Sequence, residues 1–320
     1  MIDPYPRPDL VAGRWESSYH APVMVEEVVS LLKGANEVLD CTLGGGGHSE
    51  ALLASGSSVV AIDRDEAAVN EARKRLAAYE ASGRFLAFRG NFADIDRVPE
   101  LDGRRFNGIL ADLGVSSHQI DVDERGFSFR PGALLDMRMD RRSTSTASDL
   151  LNTLDEAELS NIFREYGDEP RARRLARQIV QRRERKPMRL SDDLVDAIRG
   201  AFGPRMGPGD FARLFQALRI AVNDELGALE RALPLLRDRL QPSGVLAIIA
   251  YHSGEDRLVK HTMREWSLDC ICPPKQLQCT CRGKALGDLL TKRALLASPA
   301  ETAVNPRSRS ARLRAWRKAA

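Results

Sequence analysis

Four consecutive glycines, residues 44–47, follow a short apolar stretch and precede His48 and Ser49. Glycines placed after a strand let the backbone approach a ligand closely. A phosphate-binding loop counted from Gly44 requires a second glycine at position 49 and a lysine after it, but position 49 is Ser49 and no lysine follows. A dinucleotide loop counted from Gly44 also meets Ser49 where it needs glycine or alanine. The loop therefore favours a nucleoside ligand without a pyrophosphate, and the alternative is a tight structural turn.

Two aspartates end apolar stretches farther along the chain, Asp63 in residues 58–65 and Asp112 in residues 106–115. An acid in the place of Asp63 accepts hydrogen bonds from ribose hydroxyls, which favours S-adenosylmethionine as the ligand. Asp112 is suited to accept a hydrogen bond from an exocyclic amine and direct its lone pair at a sulfonium methyl. Such a reaction depends mainly on proximity and alignment. The alternative is that Asp112 and Ser116 only cap a turn.

A sheet is needed to bring these residues together. Short apolar strands alternate with helical patterns, which predicts an α/β fold with a parallel sheet covered by helices on both faces. Ligands of such sheets bind at the carboxyl ends of the strands. The predicted strands cover residues 37–43, 58–65, 84–92, 106–115, 244–253, 289–297 and 311–318.

The strand pattern is interrupted after the fourth strand. Residues 116–140 have neither a period of 2 nor one of 3.6, and a loop of this length is typical of a functional segment. Helical patterns follow, one with a capping box of Thr153 and Glu156 and one with Ser191 as N-cap. The helices are expected in residues 153–167, 170–187, 191–203 and, as a pair, 211–240. We expect a sheet domain in two parts, 20–118 and 213–320, around an inserted loop and helical domain, 119–212.

Composition and charge bear on partners and location. The 320 residues carry a net charge of +3, with 43% hydrophobic residues, no signal-peptide pattern and no apolar run near the ~20 residues that span a bilayer. We therefore expect a soluble cytoplasmic protein. Residues 170–189 hold nine Lys/Arg against Glu184, and residues 305–320 hold six against no acid. These runs predict contacts with RNA phosphates, and the alternative is a solvated charged surface. The helical arginines off the apolar face are Arg173, Arg174, Arg177 and Arg183.

The five cysteines divide into Cys41 and a cluster, Cys270, Cys272, Cys279 and Cys281. In a cytosolic protein such a cluster suggests metal before disulfides. The spacing C-x-C-x6-C-x-C offers four thiolates to zinc, although C-x-C is tighter than the usual C-x2-C. Free thiols or a redox-sensitive hairpin are the alternatives. We assign no metal to the active site.

The chain resembles the ribosomal RNA small subunit methyltransferase H family, which methylates N4 of a decoding-centre cytosine in 16S rRNA. The blocks that carry the resemblance run nearly end to end: "GGGGHS", "AIDRD", "DLGVSSHQIDVDERGFSFRPGALLDMRMD", "YGDE", "FQALRIAVNDEL", "HSGEDRLVK" and "NPRSRSARLR". The resemblance implies a Rossmann-like S-adenosylmethionine-dependent methyltransferase sheet with an inserted all-helical domain. It also implies a small-subunit 16S rRNA substrate. An NAD-dependent oxidoreductase and a non-catalytic RNA-binding factor are the rival readings.

The resemblance also implies site residues. The cofactor contacts it implies are Gly46, Gly47, His48, Asp63, Phe92, Asp112 and Gln119, and Asp112 is implied as the catalytic residue. The target base must be unpaired or flipped out of its stack. Phe127 and Phe129 either stack on it or pin the loop to the core. His252 either contacts the substrate or is structural, and the family usually has leucine in place of Gly254.

Overall fold

The computed structural model describes Trp15 and residues 21–115, 120–274, 276 and 278–320. One eight-stranded sheet organises the chain. Its strands are β1 (Glu37–Asp40), β2 (Ser58–Asp63), β3 (Phe85–Arg89), β4 (Phe106–Asp112), β5 (Leu240–Ala250), β6 (Gly287–Leu289), β7 (Leu295–Leu296) and β8 (Arg312–Lys318). The order is β3-β2-β1-β4-β5-β8-β6, with β7 also paired to β8. The first five strands are parallel and β8 is antiparallel to β5. The predicted α/β class with a parallel sheet is confirmed.

The predicted single strand over residues 289–297 is wrong. Only Leu289, the last residue of β6, and Leu295–Leu296, which form β7, have strand structure in this segment. Thr291 explains the interruption, because its backbone N–H donates to the carbonyl of Ala315 and its hydroxyl accepts from the N–H of Ala315. A side chain that takes the place of a ladder partner ends regular pairing at that point.

Twelve described helices accompany the sheet. They are α1 (Val25–Leu31), α2 (Gly47–Ala54), α3 (Glu66–Arg75), α4 (Ala77–Ala81), α5 (Ala147–Thr153), α6 (Glu156–Glu165), α7 (Ala172–Arg183), α8 (Ser191–Phe202), α9 (Pro208–Asn223), α10 (Glu225–Asp238), α11 (Ser253–Trp266) and α12 (Pro299–Val304). None of the described helices has the length and apolarity that crossing a bilayer requires.

Two apolar cores cover the two faces of the sheet. Side chains alternate along each strand, so that Leu39 faces one core and Val38 the other. Helices α10 and α11 pack on the first core, and α1, α2 and α3 on the second. Because both faces are buried, the central strands read as nearly continuous apolar runs, which is typical of parallel sheets.

A third core lies in the helices between β4 and β5. Helices α5 to α9 contribute its buried residues, among them Leu159, Phe163, Leu175 and Ile198. Helix α9 runs through the expected boundary at residue 213, and Leu218 still packs in this third core. The division into domains therefore stays a proposal, and we place the boundary between α9 and α10.

Two predicted helix caps are wrong. Thr153 ends α5, and α6 is capped by Asp155, whose carboxylate accepts from the N–H of Glu158. Ser191 is the first residue of α8 instead of its N-cap, and its hydroxyl donates to the carbonyl of Arg130. Each segment contains several neighbouring acids and hydroxyls that could serve as the N-cap. Packing of the apolar face decides at which of these residues the helix begins.

Candidate active site

A cleft opens at the carboxyl ends of β1, β2, β4 and β5, as expected for a sheet of this kind. Residues from these strand ends and from the loops that follow them form its wall. The lining residues are Cys41, Thr42, Leu43, Gly44, Gly47, His48, Asp63, Arg64, Ala68, Gly90, Asn91, Phe92, Asp112, Leu113, Gly114, Val115, Met139, Glu225, Tyr251 and Glu255.

The glycine loop joins β1 to α2 along this cleft. Gly44 has φ +50° and Gly46 has φ +79°, a backbone conformation that favours glycine. A Cβ on Gly47 would lie 2.7 Å from Cγ of Pro22, so only glycine fits there. Of the two glycines expected to contact the cofactor, Gly47 lines the cleft. Gly46 instead packs against α3, where an added Cβ would lie 3.2 Å from Cβ of Ala72.

Asp63 at the end of β2 holds the loop in place. Its Oδ2 accepts from the N–H of Gly44 at 2.8 Å, and its Oδ1 accepts from the N–H of Asp65 at 2.8 Å. Burial raises the pKa of Asp63 to about 6, although these two N–H groups oppose the rise. Each oxygen has a second lone pair that can accept a ligand hydroxyl. Asp63 is therefore equipped both to shape the loop and to bind a ribose.

Asp112 ends β4 on the other side of the glycine loop. The Tyr251 hydroxyl donates to its Oδ1 at 2.8 Å, and its backbone N–H donates to Oγ1 of Thr42 at 2.6 Å. Burial raises the pKa of this carboxyl to about 6, while nearby His48 and the Tyr251 hydrogen bond lower it. Asp112 is thus a fixed acceptor at the cleft wall.

His48, in the first turn of α2, faces Asp112. Its Nε2 lies 2.8 Å from the carbonyl oxygen of Val23, which requires a proton on Nε2. Its Nδ1 lies 3.7 Å from Oδ2 of Asp112. A neutral imidazole would therefore turn a lone pair toward the carboxylate, so a proton held by either group stabilises the pair. His48 lines the cleft beside Asp112 and can help to place that proton.

Asp40 supports this wall from beneath and was missed in the sequence. It is buried, with Oδ1 accepting from the N–H of Thr42 at 3.1 Å and Oδ2 accepting from the Ser49 hydroxyl at 2.7 Å. The first bond fixes Thr42, which in turn holds the backbone of Asp112, and the second ties the strand end to the first turn of α2. Asp40 was missed because the predicted strand runs through it to residue 43, whereas β1 ends at Asp40.

Phe92 follows β3 and forms another part of the wall. Its ring is partly buried against the first core and lines the cleft beside Gly90 and Asn91. The Asn91 side chain accepts from the N–H of Ala93 at 3.0 Å and so fixes the turn that carries the ring. This position is compatible with contact to an adenine.

The inserted loop closes the cleft from the side of α9. Met139 lines the cleft, and Arg64 donates to its Sδ at 2.7 Å and to the carbonyl of Asn223 at 3.3 Å. Arg125 forms a buried ion pair with Asp65 at 2.9 Å. None of these tertiary contacts could be seen in the sequence pattern, because they join residues far apart in the chain.

Tyr251 and Glu255 complete the site and were also missed. Glu255 accepts from the N–H groups of Tyr251 and His252 through Oε2, at 2.9 and 3.2 Å. Burial acts to raise the pKa of Glu255, but its bonds with His252 and Tyr251 and the charge of Arg219 outweigh burial and lower it. Tyr251 follows β5 directly, so the rule that ligands bind at strand ends would have indicated it.

His252 is the N-cap of α11. Its Nδ1 accepts from the N–H of Glu255 at 3.4 Å, and its Nε2 lies 3.3 Å from Oε1 of Glu255. The residue is not among those that line the cleft. A Cβ on Gly254 would lie 3.2 Å from the His252 ring and 3.2 Å from Leu226, so the glycine leaves room for this arrangement.

Glu225, His252 and Glu255 also place ligand atoms within 4.8 Å of one another. The Arg219 guanidinium engages both oxygens of Glu225 at 2.8 Å, which puts a fixed positive charge beside the group. The three residues are therefore better explained as an internal network than as a cation site.

The remaining residues singled out in the sequence lie away from the cleft or outside the described residues. Phe129 packs edge-on against Phe211 and Phe215, with ring centroids 6.0 Å apart in each case, so it pins the loop to the third core. Phe127 is partly buried beside the same core. Arg183 donates to the carbonyls of Leu151 and Leu154, which makes it a structural residue. Gln119 and Ser116 lie outside the described residues.

The charged residues that line the cleft indicate which kind of ligand it can bind. Among its described lining residues are the acids Asp63, Asp112, Glu225 and Glu255, against Arg64 as the one arginine. Such a wall disfavours a pyrophosphate and suits a ligand with positive groups, such as the sulfonium and ammonium of S-adenosylmethionine. The residues present therefore fit the cofactor implied by the sequence.

Comparisons with known proteins identify the family of the chain. A protein of Gemmatimonas aurantiaca named ribosomal RNA small subunit methyltransferase H is 58% identical over 302 residues, which cover 94% of this chain and 96% of that protein. A protein of the same name from Heliobacterium modesticaldum is 45% identical over 94% of this chain and 98% of its own length. Among solved structures, an rRNA methylase from Streptococcus thermophilus aligns over 92% of this chain and 94% of its own, with 11% identity and a TM-score of 0.40. The MraW methylase family model matches residues 17–319. The chain therefore belongs to the MraW methylase family.

Proposed function

We propose that this enzyme transfers a methyl group from S-adenosylmethionine to N4 of a decoding-centre cytidine in 16S rRNA of the small ribosomal subunit. The observation that carries the proposal is that Asp63 and Asp112 stand at one cleft, on either side of a glycine loop that lacks phosphate-binding features. Membership of the methylase family and the names of its relatives support the same substrate. This substrate implies that the enzyme acts in the cytoplasm.

Residues at the carboxyl ends of β1, β2 and β3, or directly after those strands, would hold the methyl donor. Asp63 is suited to accept from the ribose hydroxyls, Phe92 to contact the adenine, and Gly47 to let the α2 backbone approach closely. Gly46 acts indirectly by letting α3 pack against the loop. S-adenosylmethionine supplies an electrophilic methyl group on a sulfonium. The acids of the wall complement its positive charge.

Asp112 would act on the acceptor nitrogen. A cytosine N4 amine donates hydrogen bonds, and the ionised Asp112 carboxylate can accept one and turn the nitrogen lone pair toward the methyl group. Tyr251 holds Oδ1 of Asp112 and Thr42 holds its backbone, so the acceptor is fixed before substrate arrives. His48, 3.7 Å from Oδ2, is placed to share the proton that methylation releases.

The helical insertion would guide RNA to the cleft. Oδ2 of Asp168, in the loop before α7, accepts from the Ser253 hydroxyl at 3.4 Å, which links that loop to the start of α11. Asp168 has φ +46°, a strained conformation for a residue other than glycine. The first turn of α7, with exposed Arg173 and Arg174, follows directly. This arrangement supports a phosphate path beside the cleft.

A methylation assay tests the proposal. Small subunits and naked 16S rRNA from a strain lacking the enzyme would be incubated with the pure protein and S-adenosylmethionine, and the modified nucleotide mapped by mass spectrometry. We expect one added methyl on N4 of a decoding-centre cytidine. Methylation at another atom or another nucleotide would contradict the proposed substrate, and binding without methyl transfer would favour a non-catalytic RNA-binding role.

A further inference from the structure

The connection between α11 and β6 gathers four cysteines that the methyltransferase reaction does not use. Cys270, Cys272, Cys279 and Cys281 are free thiols, and their Sγ atoms all lie within 4.8 Å of one another. Cys279 Sγ is 3.8 Å from Cys270, 3.9 Å from Cys272 and 3.5 Å from Cys281, and Cys281 is 3.8 Å from Cys270. All four distances are far beyond a disulfide bond of about 2.05 Å.

These distances have the dimensions of a tetrahedral metal site. A tetrahedron with Zn–S bonds of about 2.3 Å has sulfur–sulfur edges of about 3.8 Å. The four sulfurs therefore surround a point that a single ion can occupy with ordinary bond lengths. An iron–sulfur cluster places several atoms between its cysteine ligands and would need a wider spacing.

Burial does not explain why the thiols meet. Cys270 and Cys279 are exposed, and Cys272 and Cys281 are only partly covered. Ile271 and Leu268 nearby are 42% and 45% exposed, so the described residues of this connection contribute almost no apolar core. A short segment without a core usually needs a cross-link or a metal to hold one conformation.

The backbone also suits bound thiolates. The N–H of Ile271 donates to Sγ of Cys281 at 3.3 Å, a bond that stabilises a negative sulfur. The Arg282 guanidinium donates to the carbonyls of Glu265 and Leu268, which ties the cysteine segment to the end of α11. The N–H of Leu286 donates to the carbonyl of Trp266 at 2.8 Å, just before β6 begins.

We propose that Cys270, Cys272, Cys279 and Cys281 bind one Zn²⁺ through four thiolates and that this ion fixes the connection between α11 and β6. Helix α11 has 14 residues and is therefore about 20 Å long, and it starts at the cleft and ends at the cysteines. The ion is thus structural and lies at the far end of the helix from the methyl-transfer site. All four coordination positions are filled by protein, as in other structural zinc sites.

Metal analysis of the full-length protein, purified without chelator, tests this site. We expect about one zinc per chain by mass spectrometry, less than about 0.2 in Cys279→Ser, and about one in Cys41→Ala, which removes the cysteine outside the cluster. Replacement of zinc by Co²⁺ should give the visible d–d bands and near-ultraviolet thiolate charge-transfer bands of a tetrahedral sulfur site. Cys279→Ser should lose these bands and Cys41→Ala should keep them.

A protease experiment tests the structural role separately. Removing the metal should speed tryptic cleavage within residues 268–286 by about tenfold or more, and added Zn²⁺ should restore protection. Protein that holds no zinc and shows four freely titrating thiols, or two disulfides, would overturn the proposal. So would zinc that persists in Cys279→Ser, or iron as the bound metal.

Discussion

Asp112 shows how the environment of one residue fits it to a task. An exposed aspartate would accept a hydrogen bond from an amine but would not hold its position. Burial, the Tyr251 hydroxyl and the hydrogen bond from its own N–H to Thr42 fix Asp112 in place. Burial also raises the pKa of this carboxyl toward neutral pH, so that a larger fraction of Asp112 is protonated than of an exposed aspartate.

The pH dependence of the reaction follows from that pKa. Asp112 is a strong acceptor when ionised, because protonation turns one of its two oxygens into a donor and Tyr251 already donates to the other. The pKa of this carboxyl is raised to about 6. The rate at saturating S-adenosylmethionine should therefore be full above about pH 7 and fall about tenfold for each pH unit below about 6. Single-turnover rates from pH 5 to 8 would measure this, and a flat profile over that range would contradict it.

Asp63 should affect binding of the methyl donor instead. Its pKa is also raised to about 6, so the dissociation constant for S-adenosylmethionine should increase as pH falls through that value. Asp63→Ala should weaken binding by about 10–100-fold, since a hydrogen bond to a charged group contributes about 1.5–3 kcal/mol. Calorimetric titration would measure both effects.

Glu66→Ala is the matched control for that change. Glu66 begins α3 next to Asp63, and its carboxylate pairs with Arg89 at the surface, where it is 65% exposed. Loss of this acid should leave the dissociation constant within about twofold of the original. Equal weakening by both substitutions would mean that net charge, and not the position of Asp63, governs binding.

At the scale of elements, the inserted loop is anchored to the turn after β2. Arg125 and Asp65, both buried, form an ion pair at 2.9 Å that joins the loop after β4 to the turn after β2. Arg125 also donates to the carbonyls of Arg138 and Met139, the second of which lines the cleft. One buried guanidinium thus connects the insertion to the site.

Removing that guanidinium should destabilise the protein markedly. Arg125→Ala leaves the Asp65 carboxylate buried beside the lost charge, which costs about 3–5 kcal/mol. Arg130→Ala in the same loop removes exposed ion pairs with Asp121 and Asp123 and an exposed hydrogen bond to the Asp121 carbonyl. It should cost less than about 1 kcal/mol of stability. Urea unfolding of both variants would measure the difference, and equal costs would contradict a role for the buried pair.

The elements also show what a sequence can predict. Strand ends could be located because apolar runs stop at Asp63 and Asp112. In a parallel sheet the carboxyl ends of the strands lie along one edge, where ligands bind, so the two residues could be expected at one site. The buried pair of Arg125 with Asp65 could not be predicted, since it joins separate elements. The cap at Asp155 was missed because neighbouring residues offer the same chemistry, and tertiary packing decides between them.

At the scale of the whole molecule, charge is distributed to suit an RNA. The cleft is acidic, whereas α7 presents arginines that the chain uses only weakly. Arg173 and Arg177 lie 3.4 and 3.6 Å from Glu156 at the surface, and such pairs exchange readily for phosphates. A chain with a net charge of only +3 can therefore bind RNA phosphates beside a cleft that disfavours them.

A charge-reversal pair tests this arrangement. Arg173→Glu with Arg174→Glu should weaken binding of 16S rRNA by about tenfold or more and lower the slope of log affinity against log salt by about 1–2. Lys33→Glu with Arg105→Glu makes the same charge change near the amino ends of β1 and β4, away from the cleft, and should have much less effect. Equal losses in both pairs would mean that net charge alone attracts the RNA.

The central claim is that Asp112 aligns an RNA amine for methyl transfer, and the rate of that step tests it most directly. Single-turnover methylation of small subunits would be measured at saturating S-adenosylmethionine for the original protein, for Asp112→Ala and for Asp102→Ala, an exposed acid before β4. We expect Asp112→Ala to be about 100-fold slower or more, with the dissociation constant for S-adenosylmethionine within about threefold and Asp102→Ala unchanged. A rate for Asp112→Ala within about threefold of the original would contradict the account.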